Sequence, residues 1–317
     1  KAAAANPGEW ITGTRGWWEY DLVEGRLPTR YDLDEAAPGN PVFIPGPHYI
    51  IANSMALKLA GIDRDTPNPQ GGEIYKDDKG ELTGLLMDTA GYPVQKFSPQ
   101  PTEAQKAAGL QSMMKFLNSN GLTSIAEAYG NSELAAMYRR AYEAGKLTMR
   151  INFAYNVDVQ NAAENIEAQI RSFGQPGQAF GDGLFRSDEI GETIMDGAEL
   201  SAMLREDYPD RPGYRGLQVN KFEEFDNLAK IANRLGWRLR PHAVGDAAID
   251  QALRSFAIAN SEKSITGRRW MIDHAFLLRA DHLPKVKELG VLINSQYMHN
   301  AQLGKLILKA WKQPLAD

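Results

Sequence analysis

From residue 101 onward, the chain alternates between two patterns of apolar and polar positions. Stretches with apolar residues every three or four positions, typical of amphipathic helices, are each followed by a short apolar run typical of a buried strand. The predicted strands lie near residues 122–128, 149–155, 190–195, 237–242, 269–274 and 291–295, each after a predicted helix. Such units in series predict a parallel sheet with right-handed crossovers, and a barrel is the natural way to close that sheet.

Residues 1–100 have a different pattern, because aromatic residues and turn formers interrupt every long periodicity. The segment predicts a short strand at 10–17, a helix that Asn53 caps, and a hairpin with its tip at 76–80. We expect residues 1–100 to form an inserted subdomain of short strands and loops that covers the mouth of the barrel. The barrel itself is then assigned to residues 101–317.

The strand count is too low for a closed α/β barrel of the (β/α)8 TIM type. A sheet of about six strands would leave two parallel edges unpaired, and parallel sheets rarely tolerate that exposure. The sequence begins at Lys1 rather than Met and ends near Asp317 on residues that resemble a helix cap. We therefore expect an incomplete barrel, with about six of eight strands present and one further strand on each side.

Composition narrows the class of partner. The 317 residues carry 35 basic and 40 acidic side chains, a net charge of -5, and no basic run interleaved with aromatic residues. This argues against a nucleic-acid partner and favours a small molecule, with a homodimer left open. No apolar run approaches the roughly 18 residues of a membrane span, and no signal peptide is evident. We expect a soluble chain, in either the cytoplasm or the periplasm.

The absence of cysteine restricts the chemistry of any site, because it removes disulfides and thiolate nucleophiles. A metal ion would have to be held by imidazole and carboxylate groups. His242 and His274 each end a predicted buried strand, and about one helix plus one strand separates them. In a parallel barrel they would lie at the same end of neighbouring strands, where such folds keep their active sites. A buried histidine bonded to the backbone is the alternative for either residue alone.

Several short motifs occur in order over almost the whole chain. They are Trp10-Ile-x-Gly-x-x-Gly-Trp17, Pro28-Thr-Arg-Tyr-Asp-Leu-Asp34, His48 followed by Asn53-Ser54, Pro69-x-Gly-Gly72, Gly121-Leu-Thr-Ser124, His242-Ala-Val-Gly-Asp246 and Asp273-His-Ala275. Together they make the chain resemble the family-3 branch of the amidohydrolase superfamily, a group of metal-dependent hydrolases. The resemblance implies a (β/α)8 barrel with one or two divalent metal ions, zinc being the expected ion.

The resemblance also implies roles for particular residues. His242 takes the place of the family's fifth-strand metal ligand and His274 that of the sixth-strand ligand, both as neutral imidazole. Glu192 stands where many relatives have a lysine that is carbamylated into a bridging carboxylate. It can supply a carboxylate itself, or it can indicate a site with one ion. The family's His-x-His pair and its eighth-strand aspartate, the general base, have no counterpart in this sequence.

Four residues are candidates for substrate binding. By the resemblance, His48 approaches the pocket mouth, with a surface turn as the alternative, and His299 follows the seventh strand at a position that faces substrate in relatives. Glu127 ends a predicted strand and can line the pocket. Arg15 can add a positive charge to the pocket lining beside the aromatic residues Trp17 and Trp18. Those tryptophans can equally pack the core of the subdomain.

Three other polar residues have structural interpretations. Asp246 is expected to cap the helix that follows it. Asp273 alternates with His274 along its strand, so it is expected to face the helical layer in an ion pair. His282, near the start of a helix, is expected at the surface.

These features predict hydrolysis of a carbon–nitrogen bond, in an amide or cyclic amide, by a metal-activated water. Because part of the family's ligand set and its base are missing, a noncatalytic binding or regulatory protein on an amidohydrolase scaffold is the alternative. A third class, an unrelated sugar or nucleotide binder, would need a Gly-rich phosphate loop after a strand, and the sequence has none.

Overall fold

The structure is a computed structural model, and it describes residues 6–14, 17, 19, 22–46, 48–97, 99–160, 162–181, 183–198, 200–296, 304 and 311. The chain divides into two compact units, residues 1–100 and residues 101–317. Every helix within the described ranges is too short or too polar to cross a lipid bilayer.

The first unit is built on a five-stranded sheet with the strand order β1-β2-β3-β5-β4. Its elements are β1 (Ile11–Thr12), α1 (Arg30–Ala36), β2 (Val42–Pro45), β3 (Tyr49–Ala52), α2 (Ser54–Leu59), β4 (Gly72–Lys76), β5 (Leu82–Asp88) and α3 (Tyr92–Gln95). The predicted hairpin is present as the antiparallel pair β4 and β5. The Asn53 side chain caps α2 by accepting a hydrogen bond from the Ala56 amide. The strand predicted at 10–17 is shorter than expected, since β1 covers two residues.

The second unit alternates helices and strands as the sequence predicts. Its elements are α4 (Glu103–Ser119), β6 (Ser124–Gly130), α5 (Ser132–Glu143), β7 (Arg150–Tyr155), α6 (Ala163–Ser172), β8 (Gln178–Phe180), β9 (Phe185–Ile194), α7 (Phe222–Leu235), β10 (Arg238–Ala243), α8 (Asp246–Glu262), β11 (Met271–His274), α9 (Leu283–Leu289) and β12 (Leu292–Asn294). The strand order is β12-β11-β10-β9-β7-β6 with all neighbours parallel, and β8 pairs antiparallel with β9. The result is the curled parallel sheet of an α/β half-barrel.

One side of this sheet is apolar and packs on the helices. Leu239 of β10 and Ile272 of β11 are buried in one cluster with Phe225 of α7 and Phe256 of α8. Because burial of such a side chain is worth roughly 1.5–3 kcal/mol, this layer holds the strands against the helices. Residues that alternate with these along β10, such as Arg240, face the other side of the sheet. The carboxyl ends of β9, β10 and β11 meet at one edge.

Candidate metal centre

Glu192 lies in a β-bulge near the carboxyl end of β9. Gly191 pairs with Arg240 and Thr193 pairs with Pro241, so Glu192 is an extra residue between two paired positions. Bulges of this kind turn a side chain away from the regular alternation of a strand. The bulge depends on glycine, because a Cβ atom at position 191 would lie 2.4 Å from the carbonyl oxygen of Arg240.

The two histidines lie at the same ends of the adjoining strands. His242 is 3% exposed. Its backbone lies opposite that of Asp273 in the parallel pairing of β10 with β11. His274 ends β11 with φ at 71°, and Ala275 follows with φ at 48°. Non-glycine residues in this left-handed region cost about 1–3 kcal/mol each and cluster at functional sites. The turn directs the His274 ring toward the end of β9.

The three side chains converge on one carboxylate oxygen. The Oε1 atom of Glu192 lies 3.0 Å from Nδ1 of His242 and 2.7 Å from Nε2 of His274. The centroids of the two imidazole rings are 4.5 Å apart. One potential ligand atom from each of Glu192, His242 and His274 lies within 4.8 Å of the other two. Among the described residues, these three side chains form the group that could hold a metal ion.

The donor set fits a divalent cation. Two imidazoles and one carboxylate are a recurrent zinc ligand set, and ligands about 2.0–2.1 Å from a tetrahedral ion lie about 3.3 Å from each other. The separations in this cluster are a few tenths of an ångström shorter than that value. Small side-chain movements would therefore give the spacing that an ion requires.

Charge complementarity within the cluster is strong. Burial by itself would raise the pKa of the Glu192 carboxyl, but hydrogen bonds and charges from His242 and His274 outweigh it and hold that pKa well below its usual range. Burial opposes protonation of His274, yet the hydrogen bond and charge of Glu192 raise the pKa of its imidazole above the ordinary value. The pocket thus favours a carboxylate at Glu192 and a cation beside it.

Neighbouring polar groups orient these side chains. Nδ1 of His274 lies 2.7 Å from Oε1 of Gln296, an oxygen that accepts hydrogen bonds, so Nδ1 donates to Gln296 and Nε2 is the nitrogen that faces Glu192. The buried Asp196 carboxylate accepts hydrogen bonds from the amides of Val244 and Gly245, just after His242. Gln296 and Asp196 therefore hold the two histidines in place.

Comparison with known proteins identifies the family. A model described as the amidohydrolase family matches residues 1–314. This chain belongs to the amidohydrolase family. It is similar to the N-substituted formamide deformylase of Arthrobacter pascens, with 29% identity over 90% of this chain and 53% of that protein. It is 32% identical to the exoenzymes regulatory protein AepA of Pectobacterium carotovorum subsp. carotovorum, over 74% of this chain and 51% of that protein.

A solved structure supports the same assignment. The crystal structure of an uncharacterized metal-dependent hydrolase from Pyrococcus furiosus superposes with a TM-score of 0.62 and 25% sequence identity. The superposition covers 96% of this amidohydrolase chain and 59% of that protein. The chain spans about half the length of the two curated relatives described above.

Two of the four residues predicted to bind substrate, His48 and Glu127, lie within the described part of the amidohydrolase chain. His48, in the first unit, has Nδ1 at 2.7 Å from Oδ1 of Asp88. Glu127 of β6 accepts a hydrogen bond from Tyr138 of α5, which is buried in the helix-facing core. Arg15 and His299 lie outside the described residues. A role in substrate binding stays a prediction for all four.

Three structural interpretations from the sequence are wrong. Asp273 forms the predicted ion pair, with Arg240, but it does so on the side of the sheet away from the helical layer, because the left-handed turn at His274 breaks the strand's alternation. Gly245, not Asp246, is the N-cap of α8, and Asp246 is its first residue. His282 is 3% exposed rather than at the surface. The partners of Asp273 and His282 are distant in sequence, so local spacing does not reveal them.

A layer of buried charges was not predicted from the sequence. It consists of Asp188, Glu189, Arg238, Arg240 and Asp273, all less than 9% exposed. We call this set the buried charge layer. It lies on β9, β10 and β11, toward the amino ends of the strands that carry Glu192, His242 and His274. The sequence feature that could have revealed the layer is the pair Arg238 and Arg240, two arginines on the same face of a strand that was predicted to be buried.

Proposed function

We propose that the protein is a metal-dependent hydrolase that cleaves a carbon–nitrogen bond, in an amide or cyclic amide, of a small molecule. The observation that carries this proposal is the convergence of His242 and His274 on Oε1 of Glu192. Membership of the amidohydrolase family supports the hydrolase class. The name of the deformylase relative, which refers to N-substituted formamides, supports the carbon–nitrogen bond.

In this proposal, Glu192, His242 and His274 hold a divalent ion, with zinc favoured by the two imidazoles and the carboxylate. When bound, such an ion would polarise a substrate carbonyl and lower the pKa of a water molecule to about 7. Glu192 supplies the negative charge that offsets the cation in a half-buried pocket. Gln296 fixes the tautomer of His274, so that Nε2 is the atom available for coordination.

The bulge at Glu192 and the turn at His274 give the site its preorganisation. Both place a donor on a rigid strand end, where its position changes little as a ligand binds. The buried cap that Asp196 makes over the amides of Val244 and Gly245 keeps the segment after His242 from moving. The chain thereby contributes fixed donors at one edge of the sheet, where substrate would enter.

The test is elemental analysis combined with an activity screen of the full-length protein. The proposal expects about one or two equivalents of a divalent transition metal, as in other metal-activated hydrolase sites. It also expects metal-dependent release of amine from a panel of N-substituted formamides, linear amides and cyclic amides. A metal-free protein that hydrolyses none of them would contradict it.

A noncatalytic binding or regulatory protein on the same scaffold is the second candidate. The observation that favours it is the similarity to a protein named as a regulator of exoenzymes. Under this alternative, the protein would bind members of the amide panel in a calorimetric titration without converting them. The two candidates therefore differ in turnover, which the activity screen measures directly.

A further inference from the structure

The buried charge layer connects the strands that carry the candidate ligands. The guanidinium of Arg240 binds both carboxylate oxygens of Asp273, with Nε and Nη2 each at 2.8 Å. Its Nη1 atom also donates to Glu189 at 3.1 Å. One side chain of β10 is thus bonded to β11 on one side and to β9 on the other.

Further contacts extend the layer to its neighbours. Arg238 donates to Asp188 at 2.6 Å and lies 2.5 Å from Oε1 of Glu189. Asn294 of β12 donates to Asp273 at 2.5 Å. The layer on β9, β10 and β11 is therefore also bonded to β12, through Asn294.

Each charged residue that contacts Arg240 is close in sequence to a candidate ligand. Asp273 directly precedes His274, Arg240 is two residues before His242, and Glu189 precedes the bulge that contains Glu192. Because each charged group lies one to three residues from a ligand on the same strand, the spacing between the charged groups constrains the spacing between the ligands.

Stability alone does not account for such a layer. Removing several charges from water carries a large desolvation free energy. Replacing a buried ion pair by well-packed apolar residues is therefore often neutral or stabilising. In barrels of this class the same interior positions are usually filled by Val, Ile and Leu. The planar guanidinium of Arg240 bonds to carboxylates on both sides and thereby fixes the geometry between three strands. An apolar side chain would not do so.

We propose that Arg240 is a positioning residue, which holds β9, β10 and β11 in the register that brings Glu192, His242 and His274 together. This inference rests on the proposed function, because it assumes that the three side chains bind a metal ion. Arg240 does not contact the ion itself. It acts through Asp273 and Glu189, one layer toward the amino ends of the strands.

The test compares metal binding by Arg240→Lys and Asp273→Asn in the full-length protein. Lysine keeps the buried positive charge but lacks the fork that bonds two carboxylates, whereas Asp273→Asn removes a charge and keeps the side-chain shape. Zinc affinity is measured by competition with a chromophoric chelator, and the visible absorption of the cobalt-substituted protein reports ligand geometry. Circular dichroism confirms that each variant is folded.

The matched control is Asp226→Asn. Asp226 is also a buried carboxylate beside an arginine, but it lies in α7 and accepts hydrogen bonds from Ser255 and Gln251 of α8. We expect its substitution to lower stability without altering the register of the strands. It should leave zinc affinity and the cobalt spectrum unchanged.

The expected result is a loss of about 10- to 100-fold in zinc affinity for both Arg240→Lys and Asp273→Asn, the range typical of groups that support metal ligands. The cobalt spectrum should change in both. If Arg240→Lys binds zinc like the unsubstituted protein, the layer acts at most through its charge and the inference is wrong. If the unsubstituted protein binds neither zinc nor cobalt, the proposed function fails instead. Should Asp273→Asn not fold, Arg240→Lys decides the question.

Discussion

Nε2 of His274 lies 2.7 Å from Oε1 of Glu192, although 82 residues separate the two in the sequence. The contact depends on two local departures from regular strand geometry, a bulge at Glu192 and a left-handed turn at His274. Each departure turns a side chain toward the carboxyl edge of the sheet. The cluster is therefore a product of backbone irregularity at the strand ends.

Substitution of His242 should remove the metal. We expect His242→Ala to lose both bound metal and amide hydrolysis, because it deletes one of three converging donors. The matched control is His282→Ala, since His282 is equally buried at 3% exposure but bonds to the Arg279 amide and Asp250. The control should lose about 1–3 kcal/mol of stability through its unsatisfied partners and still bind metal. Elemental analysis of the two purified variants decides between these outcomes.

Gln296 should matter for affinity rather than for folding. We expect Gln296→Leu to weaken zinc binding by about 10- to 100-fold, because His274 loses the acceptor that fixes its tautomer. Gln296 is only half-buried, so the urea midpoint of the metal-free protein should change little. A chelator-competition titration measures the affinity, and an unchanged value would show that Gln296 does not orient His274.

Gly191 should be essential to the bulge. An alanine Cβ atom there would lie 2.3 Å from Cγ of Arg240, so we expect Gly191→Ala to push β9 from β10 and to cost about 1–3 kcal/mol, as overpacking does. Metal affinity should fall as well. Gly177→Ala is the control, because φ is 85° there but no atom lies within 4 Å of the added carbon. If both variants keep full zinc affinity, the close approach at Gly191 does not shape the site.

Metal removal should destabilise the protein. A ligand that binds only the folded state at a free concentration about 100 times its dissociation constant stabilises that state by about 2.7 kcal/mol. We therefore expect treatment with a chelator to lower the unfolding temperature and added zinc to restore it. In His242→Ala, neither treatment should shift the transition, and a shift of the original size would place the metal elsewhere.

The alternation of helices and strands could be predicted from the sequence alone, because apolar periodicity reports directly which faces are buried. The sequence also determined that His242 and His274 end neighbouring parallel strands, since right-handed crossovers leave little freedom in their placement. Family motifs pointed to Glu192 as a third candidate. These are properties that local spacing and connection rules can express.

The way those residues meet depends on contacts between segments that are distant in the sequence. The bulge at Glu192 follows from pairing between β9 and β10, and the bond from His274 to Gln296 joins two strand ends. The pairing of Arg240 with Asp273 and the burial of His282 likewise depend on which distant segments become neighbours. Burial of a charge is favourable only when a partner lies within hydrogen-bonding distance, and a linear pattern does not specify that partner.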